Sequence, residues 1–405
     1  MIGVGSEGPV RTVGGSGRAA DRWSSIDTAT LDAGDERPYW IALATIPGLG
    51  QVNFARLVTR YGSARRAWDA GDAALEDLPR LPPDATALFR RLRREGARRV
   101  ALRVEAATTA AQGRVLTMLD DGYPAALRRL DPRPPAVHLA GDPQALDATC
   151  VAIVGTRRPS GYGRSCAVEI ADELARAGVT VVSGLALGID GEAHRAAVAA
   201  GGRSVAVLPT PLDRIYPPRH RDLARQLVQT GGALITELAT GQTVGRPDFA
   251  RRNRVIAGLS QAVVVIEAPD HSGALLTAVA AIQIGKELYA VPGQIDAVAS
   301  RGCNRLIADH LGTIVTSPPA LLQQIGVGRA TSPIEISSLS DAEGLVLAAL
   351  LARSGSIEEL IDRTRLATGA LAGCLTLLEA RGLITSYGGA TFHTTLAARR
   401  LERAS

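Results

Sequence analysis

Val151-Ala-Ile-Val154 runs straight into Gly155-Thr156-Arg157-Arg158-Pro159-Ser160-Gly161, and Thr180-Val-Val182 into Ser183-Gly184-Leu-Ala-Leu-Gly188-Ile-Asp190. Val205–Leu208, Ala233–Thr236 and Ala262–Ile266 repeat the arrangement: a short apolar run, a loop, then a helix-like stretch. Apolar runs alternating with helical patterns specify an α/β fold, a doubly wound parallel sheet. Its ligand belongs in the crevice at the carboxyl ends of the strands. Those ends carry phosphate-gripping groups but no convincing nucleophile, metal cluster or general base. The expectation is a site that holds a polyanion without breaking a bond: no catalytic residue, no metal, no cofactor.

At 405 residues the chain has room for two to three domains. Its net charge of +5 is modest. Lys286 is the only lysine, so 44 of the 45 basic residues are arginine. A GC-rich genome accounts for the bias, yet its consequence holds: a guanidinium can grip two phosphate oxygens at once. Aromatic residues make up only 3%, too few for extensive base stacking. Cys150, Cys166, Cys303 and Cys374 form no C-x-x-C pair, which argues against a zinc site and fits a reducing compartment. With no apolar stretch of 18 residues and no leader-like start, no membrane association is expected and a cytoplasmic location is.

Around the sheet lie other segments. Residues 1–37 read as a disordered tail, rich in Gly, Ser, Asp and Arg. Gly3-Val-Gly5-Ser-Glu-Gly8 matches a dinucleotide fingerprint but has neither strand before it nor helix after it, so it is discounted. Residues 38–112 read as a helical domain. In it, Ile46-Pro47-Gly48-Leu49-Gly50 resembles the turn of a helix-hairpin-helix, whose amides can meet a DNA phosphate; a plain packing module is the other reading. The sheet domain is assigned to 113–325 and a polar linker to 326–336. Residues 337–396 spell a winged helix: Ser340 and Glu343 form a capping box, a second helix starts at Ile357, and a third spans Thr368–Arg381. A hairpin with a Gly388-Gly389 turn follows, then a tail, 397–405. The third helix carries few cations, which favours a protein contact or weak DNA contact over groove reading.

Candidate ligand contacts come from four strings. Gly155, Thr156 and Arg157 stand between a strand and a helix. Ser183, Gly184 and Gly188 offer a second amide cradle, with Asp190 read as the cap of the helix that follows. His194, one turn on, is poorly placed to act as a base on Ser183. Asp248-Phe-Ala-Arg251-Arg252-Asn253-Arg254 opens a helix after the fourth run, with Arg251 and Arg254 on one face and Arg252 on another. Ser272, Gly273 and Thr277 sit at the next strand-to-helix turn, and Arg219 follows Tyr216-Pro217-Pro218. A P-loop sequence is absent.

Together these strings, with Val291-Pro-Gly293 and Arg301-Gly-Cys-Asn-Arg-Leu-Ile307, resemble the DNA-processing protein A family (DprA/Smf) over about Arg114 to Val315. The outer segments are also similar to that family's. The resemblance implies an α/β extended Rossmann-like doubly wound domain that binds single-stranded DNA, pairs into a homodimer through that Rossmann domain and loads RecA recombinase during natural transformation. Carried over by position, the phosphate pocket would use Gly155, Thr156, Arg157, Ser183, Gly184, Arg251, Asn253, Arg254, Ser272 and Gly273. Gly188, Arg219, Arg252 and Thr277 complete the candidate set. The chain departs from the family at Pro209-Thr210-Pro211, where Gly-x-Gly is usual, and at His220, where Asn is frequent. Two rivals remain: a nucleotide phosphoribohydrolase on a related scaffold, which lacks its glutamate here, and a winged-helix transcription regulator.

Overall fold

The computed structural model describes residues 32–76, 78–79, 81–327, 339–381, 383–387 and 391–394. Residues 1–31 of the expected N-terminal tail, the 397–405 tail, most of the 326–336 linker and the Gly388-Gly389 turn lie outside the described residues. The chain divides into two units, up to Ile314 and from Val315 onward.

The first unit begins with helices α1 (Ala33–Ala44), α2 (Gln51–Tyr61), α3 (Ala64–Asp69), α4 (Ala73–Glu76), α5 (Ala85–Glu95) and α6 (Ala97–Ala110). Helix α1 starts before the expected boundary at 38, because the Asp32 carboxylate accepts from Gly34 N and Asp35 N and caps it. Buried rings hold these helices together: Trp40 lies 4.8 Å from Phe54, and Trp68 5.4 Å from Phe89.

Next come β1 (Gly113–Thr117), α7 (Ala125–Arg128), β2 (Ala136–Gly141), α8 (Gln144–Asp147), β3 (Cys150–Val154), α9 (Gly161–Arg176), β4 (Thr180–Ser183) and α10 (Ile189–Ala199). After these follow β5 (Ser204–Val207), α11 (Arg221–Gln229), β6 (Ala233–Thr236), α12 (Arg246–Leu259), β7 (Ala262–Val265), α13 (Gly273–Gln283), β8 (Glu287–Ala290), α14 (Arg301–Ala308) and β9 (Thr313–Ile314). They build one nine-stranded sheet in the order β1-β2-β6-β5-β4-β3-β7-β8-β9. From β6 to β9 neighbouring strands are parallel; β1 and β2 add an antiparallel edge. Strands β3 to β7 are buried on both faces, which is why each reads as an unbroken apolar run rather than an alternating one. Strand order reverses between β3 and β7, so the loops after these two strands flank the switch point.

The five runs read from sequence are β3 to β7. Strands β1, β2, β8 and β9 lie beyond those five runs. The helical segment is also not separate from the sheet. Gln51 Nε2 donates to both carboxylate oxygens of Glu237 at 3.0 Å, and Gln242 Nε2 donates to Thr45 O at 2.9 Å.

The second unit holds α15 (Pro318–Gln324), α16 (Asp341–Ala352), β10 (Gly355–Ser356), α17 (Ile357–Thr364), α18 (Thr368–Ala380), β11 (Ile384–Tyr387) and β12 (Thr391–Thr394). Helices α16 to α18 with a β10-β12-β11 sheet form the winged helix. Ser340 and Glu343 close the expected capping box, and Leu371, Leu375 and Leu378 face its core.

Candidate nucleic-acid interface

Strand β3 ends at Val154, and Gly155 passes so close to Ile189 that a β-carbon there would collide with it. Thr156 N donates to Glu267 O at 2.7 Å, which ties this loop to the one after β7. Arg157 projects to solvent and makes no ion pair with a described residue. Ser160 caps α9 and is itself held by Glu267. Its amide donates to Oε2 at 2.8 Å and its hydroxyl to Oε1 at 2.7 Å.

The second cradle is formed but filled. Helix α10 starts at Ile189, and Asp190 does not cap it. Its carboxylate turns back to accept from Gly184 N at 3.1 Å and Ala186 N at 3.3 Å. Ser183 is buried and donates to Ile153 O at 2.6 Å. Gly188 (φ 81°) serves by lacking a side chain, since a β-carbon would strike Thr156 O and Arg157. His220, singled out as a departure, is buried and braces this loop from Nδ1 to Leu185 O at 2.9 Å.

Helix α12 divides its arginines as the spacing implies, Arg251 and Arg254 on one face and Arg252 on another. Arg251 and Arg254, expected on the ligand, share an internal partner. Arg251 Nε lies 3.1 Å and Arg254 Nη2 3.6 Å from the Glu237 carboxylate. Arg251 also pairs with Asp248, and Arg254 with Pro132 O. Gly50, in the turn read as a possible DNA-binding hairpin, packs on the Arg251 guanidinium. The hairpin therefore faces the sheet domain. A carboxylate almost out of water must be neutralised from within, and these two arginines do it.

Arg252 points the other way. It is 8% exposed, donates from Nη1 to Val207 O at 3.0 Å and fills the space a β-carbon on Gly184 would need. Its Nε is buried without a hydrogen-bond partner. Burial pushes its pKa down to about 10; Asp190 opposes that shift and Arg157 adds to it. It remains a cation at neutral pH, facing a second one.

Arg157 and Arg252 line one crevice with Gly184, Ala186, Leu187, Pro209, Tyr216, Pro217 and Phe249. Tyr216 and Phe249 meet edge to face at 6.0 Å, and Tyr216 is 46% exposed. Sequence reasoning passed over both rings. Low aromatic content argued against stacking in general, whereas two rings converging on one crevice suffice locally. The signal available was their position beside chemically marked strings, Tyr216-Pro217-Pro218 and Phe249-Ala-Arg251-Arg252.

Other candidates fall outside the crevice lining. Asn253 is buried and donates to Gly273 O at 3.3 Å; Thr277 is buried in α13; Ser272 caps α13 through Ala274 N. Gly273 and Arg219 are exposed, Arg219 two residues beyond Pro217. Ser183, His194 and Asp190 make no triad: His194 Nδ1 donates to Ser204 Oγ at 2.7 Å, and Ser183 and Asp190 are engaged as above.

Residues 114–326 match the family model of DNA recombination-mediator protein A, and residues 330–390 that of the DprA winged helix domain. The chain is 33% identical over 299 residues to the Smf protein of Synechocystis, covering 73% of this chain and 74% of that one. It is 41% identical over 206 residues to the Smf protein of Escherichia coli, covering 51% and 55%. The X-ray structure of DNA processing protein A from Streptococcus pneumoniae superposes with a TM-score of 0.57 at 28% identity, covering 70% of this chain and 96% of that one. On the family model, the identity and the shared architecture, the chain belongs to the DNA recombination-mediator protein A (DprA/Smf) family.

Proposed function

We propose that this chain binds single-stranded DNA as a recombination mediator and performs no chemistry on it. The observation that carries the reading is Arg252: a buried guanidinium with a spare donor, facing Arg157 across an open crevice. Against these two cations stands one buried carboxylate, Asp190, whose Oδ2 already accepts from two amides. A phosphate entering there gains charge-assisted hydrogen bonds and relieves cation–cation repulsion. The Tyr216–Phe249 pair gives the adjoining nucleobase a stacking surface, a contact that tolerates any base and requires an unpaired strand. Backbone grip with stacking and no base-edge readout suits a mediator, which must accept any sequence.

The finer parts of the reading follow the family. The protein loads RecA recombinase on incoming strands during natural transformation. It acts as a homodimer through the free β9 edge of the sheet, where Leu311 and Ile314 are 48% and 40% exposed. It works in the cytoplasm, consistent with four unpaired cysteines; among the described residues no helix is long and apolar enough to cross a membrane. The exposed face of α18 (Thr368, Gly369, Ala372, Gly373, Thr376, Leu377 and Glu379) bears no cation, which favours a protein contact there over groove reading.

A salt-series titration with matched single- and double-stranded oligonucleotides tests the main reading. Single strands bind more tightly, and log affinity falls with log salt by about 0.7 per phosphate contact. Equal affinity for both forms, or a salt-independent constant, overturns it.

A further inference from the structure

We propose that Glu267 is a built-in anion that closes the mononucleotide phosphate site of this fold, steering ligands to the neighbouring Arg157–Arg252 crevice. The inference rests on the single-strand reading and adds what the site refuses: free nucleoside phosphates.

In a doubly wound sheet the phosphate site lies at the switch point, against the N-terminus of the helix after the first strand. Here that place lies between β3 and β7, at the start of the 16-residue helix α9. Glu267 follows β7 there and is 3% exposed. Its two oxygens accept from Ser160 N at 2.8 Å and Ser160 Oγ at 2.7 Å, the amide-plus-hydroxyl pair a phosphate would take. Gly163, the second glycine of the near-fingerprint Gly161-Tyr-Gly163, leaves room for this carboxylate and not for a ligand. A β-carbon on Gly163 would collide with Glu267 Oε2. Glu267 O also accepts from Thr156 N, which removes another amide donor from the same loop.

Asp190 repeats the arrangement one strand away, accepting from Gly184 N and Ala186 N. Both main-chain cradles at these strand ends are therefore occupied by carboxylates of the chain itself. The groups left for an outside anion are side-chain guanidiniums, which track a flexible sugar-phosphate strand rather than enclose one terminal phosphate. A polymer with phosphates at repeated intervals can use such contacts cumulatively; a mononucleotide cannot.

The test compares the full-length protein with Glu267→Ala and Glu267→Ser, using inorganic phosphate and adenosine monophosphate as probes. Thermal midpoints are recorded with and without each probe, and single-strand affinity is measured by anisotropy. The expected result is a midpoint rise of about 3 °C at saturating phosphate in both variants and none in the unsubstituted protein. If a variant is unfolded alone, recovery of its helical circular dichroism on adding phosphate supports the proposal equally. No phosphate effect in either variant, folded or not, overturns it, as does a matching midpoint rise in the unsubstituted protein. Loss of single-strand binding by the unsubstituted protein would instead count against the function proposed above, so the two failures are distinguishable.

Discussion

Replacing Arg157 with alanine separates binding from folding more cleanly than any other change at this site. The side chain is exposed and makes no ion pair with a described residue, so its loss alters stability by no more than about 0.5 kcal/mol. A charge-assisted hydrogen bond to phosphate is worth about 1.5–3 kcal/mol when well shielded. Arg157 stands at the open rim, so the lower end applies: about 1.5 kcal/mol, slightly more than a tenfold loss in affinity. The slope of log affinity against log salt should also shrink by about 0.7, because one fewer phosphate is neutralised. The assay is fluorescence anisotropy on a labelled oligothymidylate across a salt series, with the thermal midpoint recorded alongside. An unchanged affinity and an unchanged slope, with folding intact, would falsify the placement of DNA in this crevice.

Arg251→Ala is expected to behave in the opposite way: it strips Glu237 of a partner while Arg254 and Gln51 remain, so stability falls by about 2 kcal/mol in denaturant titrations. Single-strand affinity of the folded protein stays within about twofold, and a large affinity loss without a stability loss would return Arg251 to the ligand. Tyr216→Ala removes a stacking surface worth about 1–3 kcal/mol per base, so the dissociation constant rises about tenfold while the salt slope stays as it was; a changed slope contradicts a stacking role. Burial holds His138 down to about 4 and His194 to about 3. Both are neutral when folded but take a proton near the usual value of about 6.5 when unfolded, so their contribution is intact above that value and lost as pH falls toward the folded values. At pH 5 each costs about 2 kcal/mol relative to neutrality, and His138→Gln should lower the slope of unfolding free energy between pH 6 and 5; an unaltered slope shows that His138 is not a source.

Periodicity and loop chemistry alone determined the class of fold, five strands of the sheet and the winged helix, because an unbroken apolar run between helical patterns has few ways to bury itself. Ordered motifs from Gly155 to Ile307 carried the family as well. The short β9, with two exposed residues, has no apolar run to announce it, and β1 hid at the end of a helical pattern. What the linear order could not tell was which charges cancel. Glu237, Asp190 and Glu267 are unremarkable in sequence, yet tertiary packing sets each against donors from distant loops. Only the folded chain shows that Arg251 and Arg254 are spent on Glu237, that the amide cradles are filled, and that Arg252, Arg157, Tyr216 and Phe249 share one opening. The physical reason is that a site is defined by unsatisfied groups: residue types fix the supply of donors and charges, while three-dimensional proximity settles which of them remain unpaired.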